Sequence, residues 1–132
     1  MPMGFAGFAH QEYLNLETFK KSGEGVKTPV WFAADPSAKL DSGDAKLYVY
    51  SIGVSGKMKR IRNNSNVKIA PCDMRGKLKG DWISARAEIL TGPEAQHGMQ
   101  LLNKKYLPWK QLLDFFAMFR KRERTVFVIR PA

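Results

Sequence analysis

The chain has 132 residues, 44% hydrophobic and 26% charged, a balance that suits one domain over 1–132 with one core and excludes disorder as the main state. Its 22 Lys and Arg against 12 acidic residues leave a net charge of +10. That excess points to anionic partners without choosing among nucleic acid, acidic membranes and small phosphates or carboxylates.

In chain order, Leu14 to Phe19 alternates apolar and polar residues as a half-buried strand does. Turn residues "KKSGEG" follow, and "VKTPVWFAAD" reads as a second strand, so the two are expected to form a hairpin. After a second turn, Asp41 to Asp44, comes "AKLYVYSIG", rich in aromatic and β-branched residues. A short helix is expected at the basic stretch beyond it. "NVKIAPCD" and "GDWISARAEIL" add two strands separated by the turn "MRGKLKG". "GPEAQHGMQLLNKKY" reads as a helix with Pro93 in its first turn, and "PWKQLLDFFAMFRKR" as another. "TVFVIRP" closes the chain as a strand. Six strands joined mostly by short turns imply a mainly β fold: an antiparallel sheet curled into a barrel, which removes costly edges, with helices at its periphery.

The basic stretch "SGKMKRIRNN" holds four cations between Lys57 and Arg62, with Lys68 beyond. Ser55 can cap a helix start there. On such a helix Met58 and Ile61 share an apolar face, Lys57 and Arg60 share another, and Lys59 and Arg62 point elsewhere. The Lys57–Arg60 pair, close to the free N–H groups of the helix start, can hold a dianionic phosphate. The same cations can also serve only as a solvated surface, or belong to a nucleic-acid groove. A groove wants exposed aromatics among the cations, whereas Tyr48 and Tyr50 alternate as strand residues and read as core.

Other chemistry is sparse. Cys72 stands alone, so no intrachain disulfide forms, and a reducing, cytoplasmic location is expected. Without a readable base partner it is expected to be a small strand residue rather than a nucleophile. His10 and His97 have no Cys or carboxylate at ligand spacing, so no metal site is expected. The first segment lacks the charge and apolar run of a signal peptide, and the apolar run Leu112 to Phe119 is too short to span a bilayer. No membrane or nucleic-acid partner is expected.

The pieces "TPVWFA", "LYVYS" and "SGKMKRIRNNSNVKIAPCDMRG", at their mutual spacing, resemble the pyridoxamine 5'-phosphate oxidase-like split-barrel proteins, and more narrowly their class of probable coenzyme F420-dependent enzymes. The resemblance runs from "EYLNLETF" to "VFVIRP". It implies a six-stranded antiparallel split β-barrel with peripheral helices, homodimeric, with an FMN or deazaflavin groove at the dimer interface. Position by position, it implies that Thr28, Pro29, Val30 and Trp31 lie along the cofactor ring. Tyr50 and Ser51 would stand near the ribityl chain and phosphate. Gly56, Lys57 and Arg60 would form the phosphate turn and helix, and Ala70, Pro71 and Cys72 a strand bordering the ring. Trp31, between Val30 and Phe32, reads equally as core without the resemblance.

FMN-using oxidases of the superfamily carry an Arg-rich ring strand and Ser-Arg-Lys residues before the phosphate helix. Here the strand begins "TPVW" and the turn reads "SGK". The departure, with the large positive charge, favours F420 with its anionic tail over FMN, the alternative cofactor. The implied function is an oxidoreductase passing hydride from reduced F420 to a small conjugated acceptor. The catalytic chemistry belongs to the cofactor, so no catalytic side chain is expected. The rivals are an FMN-binding oxidoreductase of the same fold and a non-catalytic flavin-, deazaflavin- or tetrapyrrole-binding protein.

Overall fold

A computed structural model of the chain describes residues 5–52, 56–106 and 124–132. The strands are β1 (Tyr13–Phe19), β2 (Gly25–Ala34), β3 (Leu47–Ile52), β4 (Asn66–Cys72), β5 (Ile83–Leu90) and β6 (Arg124–Pro131). Helix α1 (Gly56–Asn63) lies between β3 and β4, and α2 (Gly92–Tyr106) between β5 and β6. The expected helix over "PWKQLLDFFAMFRKR" and the Ser55 cap fall outside the described residues.

All neighbouring strands pair antiparallel in the order β1-β2-β3-β6-β5-β4, and β4 returns to β1. The mainly β reading therefore holds, and closure leaves no open edge. β1 and β2 form the expected hairpin: Gly23, at φ +90°, donates its N–H to the Lys20 carbonyl at 2.8 Å. That left-handed backbone suits glycine.

Alternation along the strands sends one set of side chains inward. Leu14, Leu16, Val30, Phe32, Val67, Ile69, Phe127 and Ile129 belong to the interior cluster. One mouth is plugged by Met58 and Ile61 of α1, which join the same cluster. The other is plugged by Phe5 and Phe8 around a short 3-10 turn, Ala6–Phe8, that the sequence reading left unassigned. Phe8 bridges Phe5 and Phe32 by edge-on ring contacts at 6.0 and 5.9 Å.

A second apolar cluster lies outside the barrel, beneath α2. Tyr48, Ala33, Val126 and Val128 form its floor, and Leu102, Met99 and Ala95 come from the helix. Tyr48 is buried as expected, but in this outer layer. Its hydroxyl donates to Asp35 Oδ2 at 3.1 Å, and His97 Nε2 of α2 meets the same oxygen at 3.2 Å. Burial alone would raise the Asp35 pKa. Hydrogen bonds from Ser37, His97 and Tyr48 overcome it and hold the carboxyl at about 2. Burial, and then the bond to Asp35, push the Tyr48 hydroxyl up to about 12.

Two outcomes follow. A Cβ at Gly98 would stand 2.7 Å from Tyr48 Cδ1 and 3.0 Å from Val126 Cγ1. G98A should therefore lower stability by about 1–3 kcal/mol, although alanine is the better helix former by about 1 kcal/mol; thermal melts check the sign. Asp35 drops from its ordinary 3.8 to about 2 on folding, so its contribution is complete above about pH 4 and fades as pH falls through about 2. Over that window the parent chain should lose on the order of 2 kcal/mol more than D35N, measured by denaturant titration.

Candidate functional site

Helix α1 lies across one barrel mouth because burying Met58 (8% exposed) and Ile61 (4%) fixes its rotation. Lys57 and Arg60 are then placed together on the neighbouring face, while Lys59 and Arg62 are exposed. The cations divide as their spacing predicts.

Arg60 is held in place. Its Nε donates to Oγ1 of Thr18 at 2.6 Å, and Thr18 is fully buried near the end of β1. The guanidinium folds back over the helix start, since a Cβ added to Gly56 would lie 2.6 Å from Arg60 Nη1. Lys57 is half-buried, and its pKa is lowered first by burial and then by the Arg60 charge. Among the described residues neither cation is paired with a carboxylate. Two cations are thus gathered beside the free N–H groups of a helix start, an arrangement complementary to a dianion.

Other predicted residues lie toward this mouth. Thr28 pairs with Leu16, one inward step along β1 from Thr18. Ser51 pairs with Thr125, whose hydroxyl donates to Met58 Sδ at 3.3 Å, and Tyr50 pairs with Val126 one position further. The register thus puts Thr28 and Ser51 on strands toward the end of the barrel that carries Gly56, Lys57 and Arg60.

The remaining candidates lie further along the barrel, and β1 separates them. Pro29 pairs with Asn15, which pairs with Ala70; Val30 with Leu14 and then Pro71; Trp31 with Tyr13 and then Cys72. The two predicted ring strands therefore do not touch. At ~4.8 Å per strand spacing they stand roughly 10 Å apart. Val30 is buried in the interior cluster. Trp31 is half-buried on the outer side, where its ring leans on Tyr13 at 6.3 Å and meets the rim of the α2 layer. It is neither plain barrel core nor fully solvated. Pro29 is exposed, and Ala70, Pro71 and Cys72 are buried. Burial, followed by the Asp73 charge, pushes the Cys72 thiol up to about 11. It is a protonated strand residue, as its lack of a base partner suggested.

Three features escaped the sequence reading. Asn15 is only 6% exposed; its Nδ2 donates to the Gly76 carbonyl at 3.1 Å, and its Oδ1 is buried without a partner. It stands between Pro29 and Ala70, the one orphan acceptor in the predicted ring bed. The only clue was an amide in mid-strand, where β-formers predominate. Lys105 Nζ donates to the carbonyls of Gln11 and Phe32, both at 2.7 Å, and lies over the Phe32 ring; burial pulls its pKa down to about 8. His97, read as isolated, finds its carboxylate in Asp35, 62 residues away.

No family model and no curated protein matches the sequence. Solved structures do. The chain is similar to a putative pyridoxamine 5'-phosphate oxidase from Listeria innocua (14% identity, TM-score 0.62), covering 96% of this chain and 88% of that one. The fold is that of the pyridoxamine 5'-phosphate oxidase-like split barrels. An F420 reductase shares it over 100% of this chain and 96% of its own (19% identity, TM-score 0.58). So does the heme storage protein HutZ from Vibrio cholerae, over 93% and 83% (12% identity, TM-score 0.63). Against Atu2129 of Agrobacterium tumefaciens, a protein of unknown function, the chain spans about half of the longer protein (48%), at 13% identity and a TM-score of 0.64 over 91% of this chain. Among the described residues no helix is long and apolar enough to cross a membrane.

The Cys72 environment sets its reactivity. Iodoacetamide at about pH 8 should leave the native thiol unmodified and label it only in denaturant, because thiolate is scarce and the sulfur buried; intact-mass spectrometry reads the outcome.

Proposed function

We propose that the chain binds a flavin-type cofactor and acts as an oxidoreductase, with coenzyme F420 as the cofactor and FMN as the alternative. The observation that carries this reading is the Lys57–Arg60 pair. Two cations without a described carboxylate partner are gathered at a helix start, and one is locked to a buried threonine.

Lys57, Arg60 and the N–H groups beginning at Gly56 would hold the cofactor's phosphate, with Thr28, Tyr50 and Ser51 along the adjoining chain. Pro29, Val30 and Trp31 on one side of β1, and Ala70, Pro71 and Cys72 on the other, would form the ring bed. The orphaned Oδ1 of Asn15 fits this assignment: a buried acceptor wants an N–H donor, and the pyrimidine edge of a flavin or deazaflavin carries one. When bound, the reduced cofactor supplies hydride to a small conjugated acceptor, while the protein supplies position and charge. A second copy of the chain, closing the groove as a homodimer in the cytoplasm, belongs to the same reading. The +10 charge favours the cofactor with the longer anionic tail.

A non-catalytic carrier is the competing reading, supported by the heme storage protein of the same fold. Spectra separate the two: a protein purified with a Soret band, and indifferent to F420, would be a carrier.

The test is titration of the full chain with F420 and, separately, FMN, followed by cofactor fluorescence. K57A and R60A should each weaken binding of the true cofactor by about 1.5–3 kcal/mol, roughly 10- to 150-fold, as loss of a charge-assisted contact does. G56A should weaken it as well, because its Cβ would displace the guanidinium that Thr18 anchors over the helix start. Unchanged affinity in all three overturns the reading.

A further inference from the structure

Beside the Phe5–Phe8 plug, at the end of the barrel opposite α1, lies a cavity of about 720 Å³ that none of the cofactor contacts above requires, apart from Pro71 on its wall. Its apolar walls include Phe8, Pro71, Ile83 and Pro131. The size and character match those of small-molecule sites, which run to several hundred Å³ with apolar walls and a few polar groups.

Charge distinguishes this mouth from the other. The ionisable side chains of α1 itself are Lys57, Lys59, Arg60 and Arg62, all cationic. Here the ionisable lining is Asp41 and Asp81 against Lys79. In a chain of net charge +10, this opening carries more acid than base, so it does not attract a second phosphate. The barrel also sets the distance between the two openings. β6 runs from Thr125, touching α1, to Pro131, on the cavity wall. Six residues at ~3.3 Å put the mouths roughly 20 Å apart along the strand.

We infer that this cavity is a second small-molecule site, taking a neutral, largely apolar ligand. Resting on the oxidoreductase reading, it is also the seat of the hydride acceptor. Pro71 belongs both to the proposed ring bed and to the cavity wall, and it is level with Val30 across Leu14. A cofactor anchored by its phosphate at α1 and extended along the barrel brings its ring toward this end. The acceptor class is thereby narrowed to uncharged apolar molecules, and phosphorylated ones are disfavoured by Asp41 and Asp81.

The rim offers clean variants. Gly43 and Gly7 both line the cavity, and a Cβ at either meets nothing within 4 Å, so a large side chain there obstructs the opening without disturbing the fold. The full chain is titrated with Nile red, a neutral apolar dye, with and without saturating F420. Expected are saturable binding that persists with F420 present, and a loss of dye affinity of about tenfold or more in G43W and in G7W. Affinity for F420 should stay within about twofold in both variants. Circular dichroism identifies a variant that has failed to fold, and the other then decides. Absence of dye binding, displacement of the dye by F420, or equal binding in both folded variants overturns the site. If the dye results hold while F420 does not bind, the oxidoreductase reading and the acceptor role fall, and the cavity site stands.

Discussion

Burial of Met58 and Ile61 in one end of a closed barrel is the constraint on which the proposed site depends. Closure through β1 and β4 leaves two open ends that expose core, and each must be plugged. Plugging with a helix fixes its rotation, because residues three apart share a face. Burying two such side chains is worth about 1.5–3 kcal/mol each. The repulsion between Lys57 and Arg60 on the next face is on the order of 0.2–0.5 kcal/mol, the scale of like-charge pairs on a helix. Hydrophobic burial wins comfortably, so the two cations are held together before any ligand arrives.

Polar groups pin the parts that burial alone leaves free to slide. Thr18, fully buried, gives Arg60 its anchor. Asp35 receives Tyr48 and approaches His97, fixing α2 against the outer layer where Gly98 allows backbone and ring to meet closely. Lys105 ties the last turn of the same helix to Gln11 and Phe32. In each case a long-range hydrogen bond adds direction to an apolar contact that has little of its own. Asn15 is the exception. Half of its amide is satisfied and half is not, at the point where two proposed ring strands flank β1. A buried acceptor left alone costs about 1–3 kcal/mol, which a donor reaching that point would offset.

The two mouths have separate roles in this reading. Their charges differ, their plugs differ, and the strands running between them set their spacing. An extended anionic cofactor and a neutral apolar partner can approach one barrel from opposite ends without competing for a single opening.

Much of this follows from local pattern. Alternation in β1, with β-rich runs and turn residues elsewhere, identified the six strands, and Pro93 in a first turn marked α2, because period and turn chemistry are read within one segment. Helical periodicity placed Met58 and Ile61 together, and Lys57 with Arg60. What local pattern could not supply was register and neighbourhood. That β1 lies between β2 and β4 and separates Pro29 from Ala70, that His97 finds Asp35, and that Asn15 is buried although its strand position reads as outward, are all settled by pairings between distant segments. The split has a physical cause: backbone geometry makes period a property of a few adjacent residues, whereas burial and charge partnership belong to the assembled barrel and have no counterpart in any short stretch of chain.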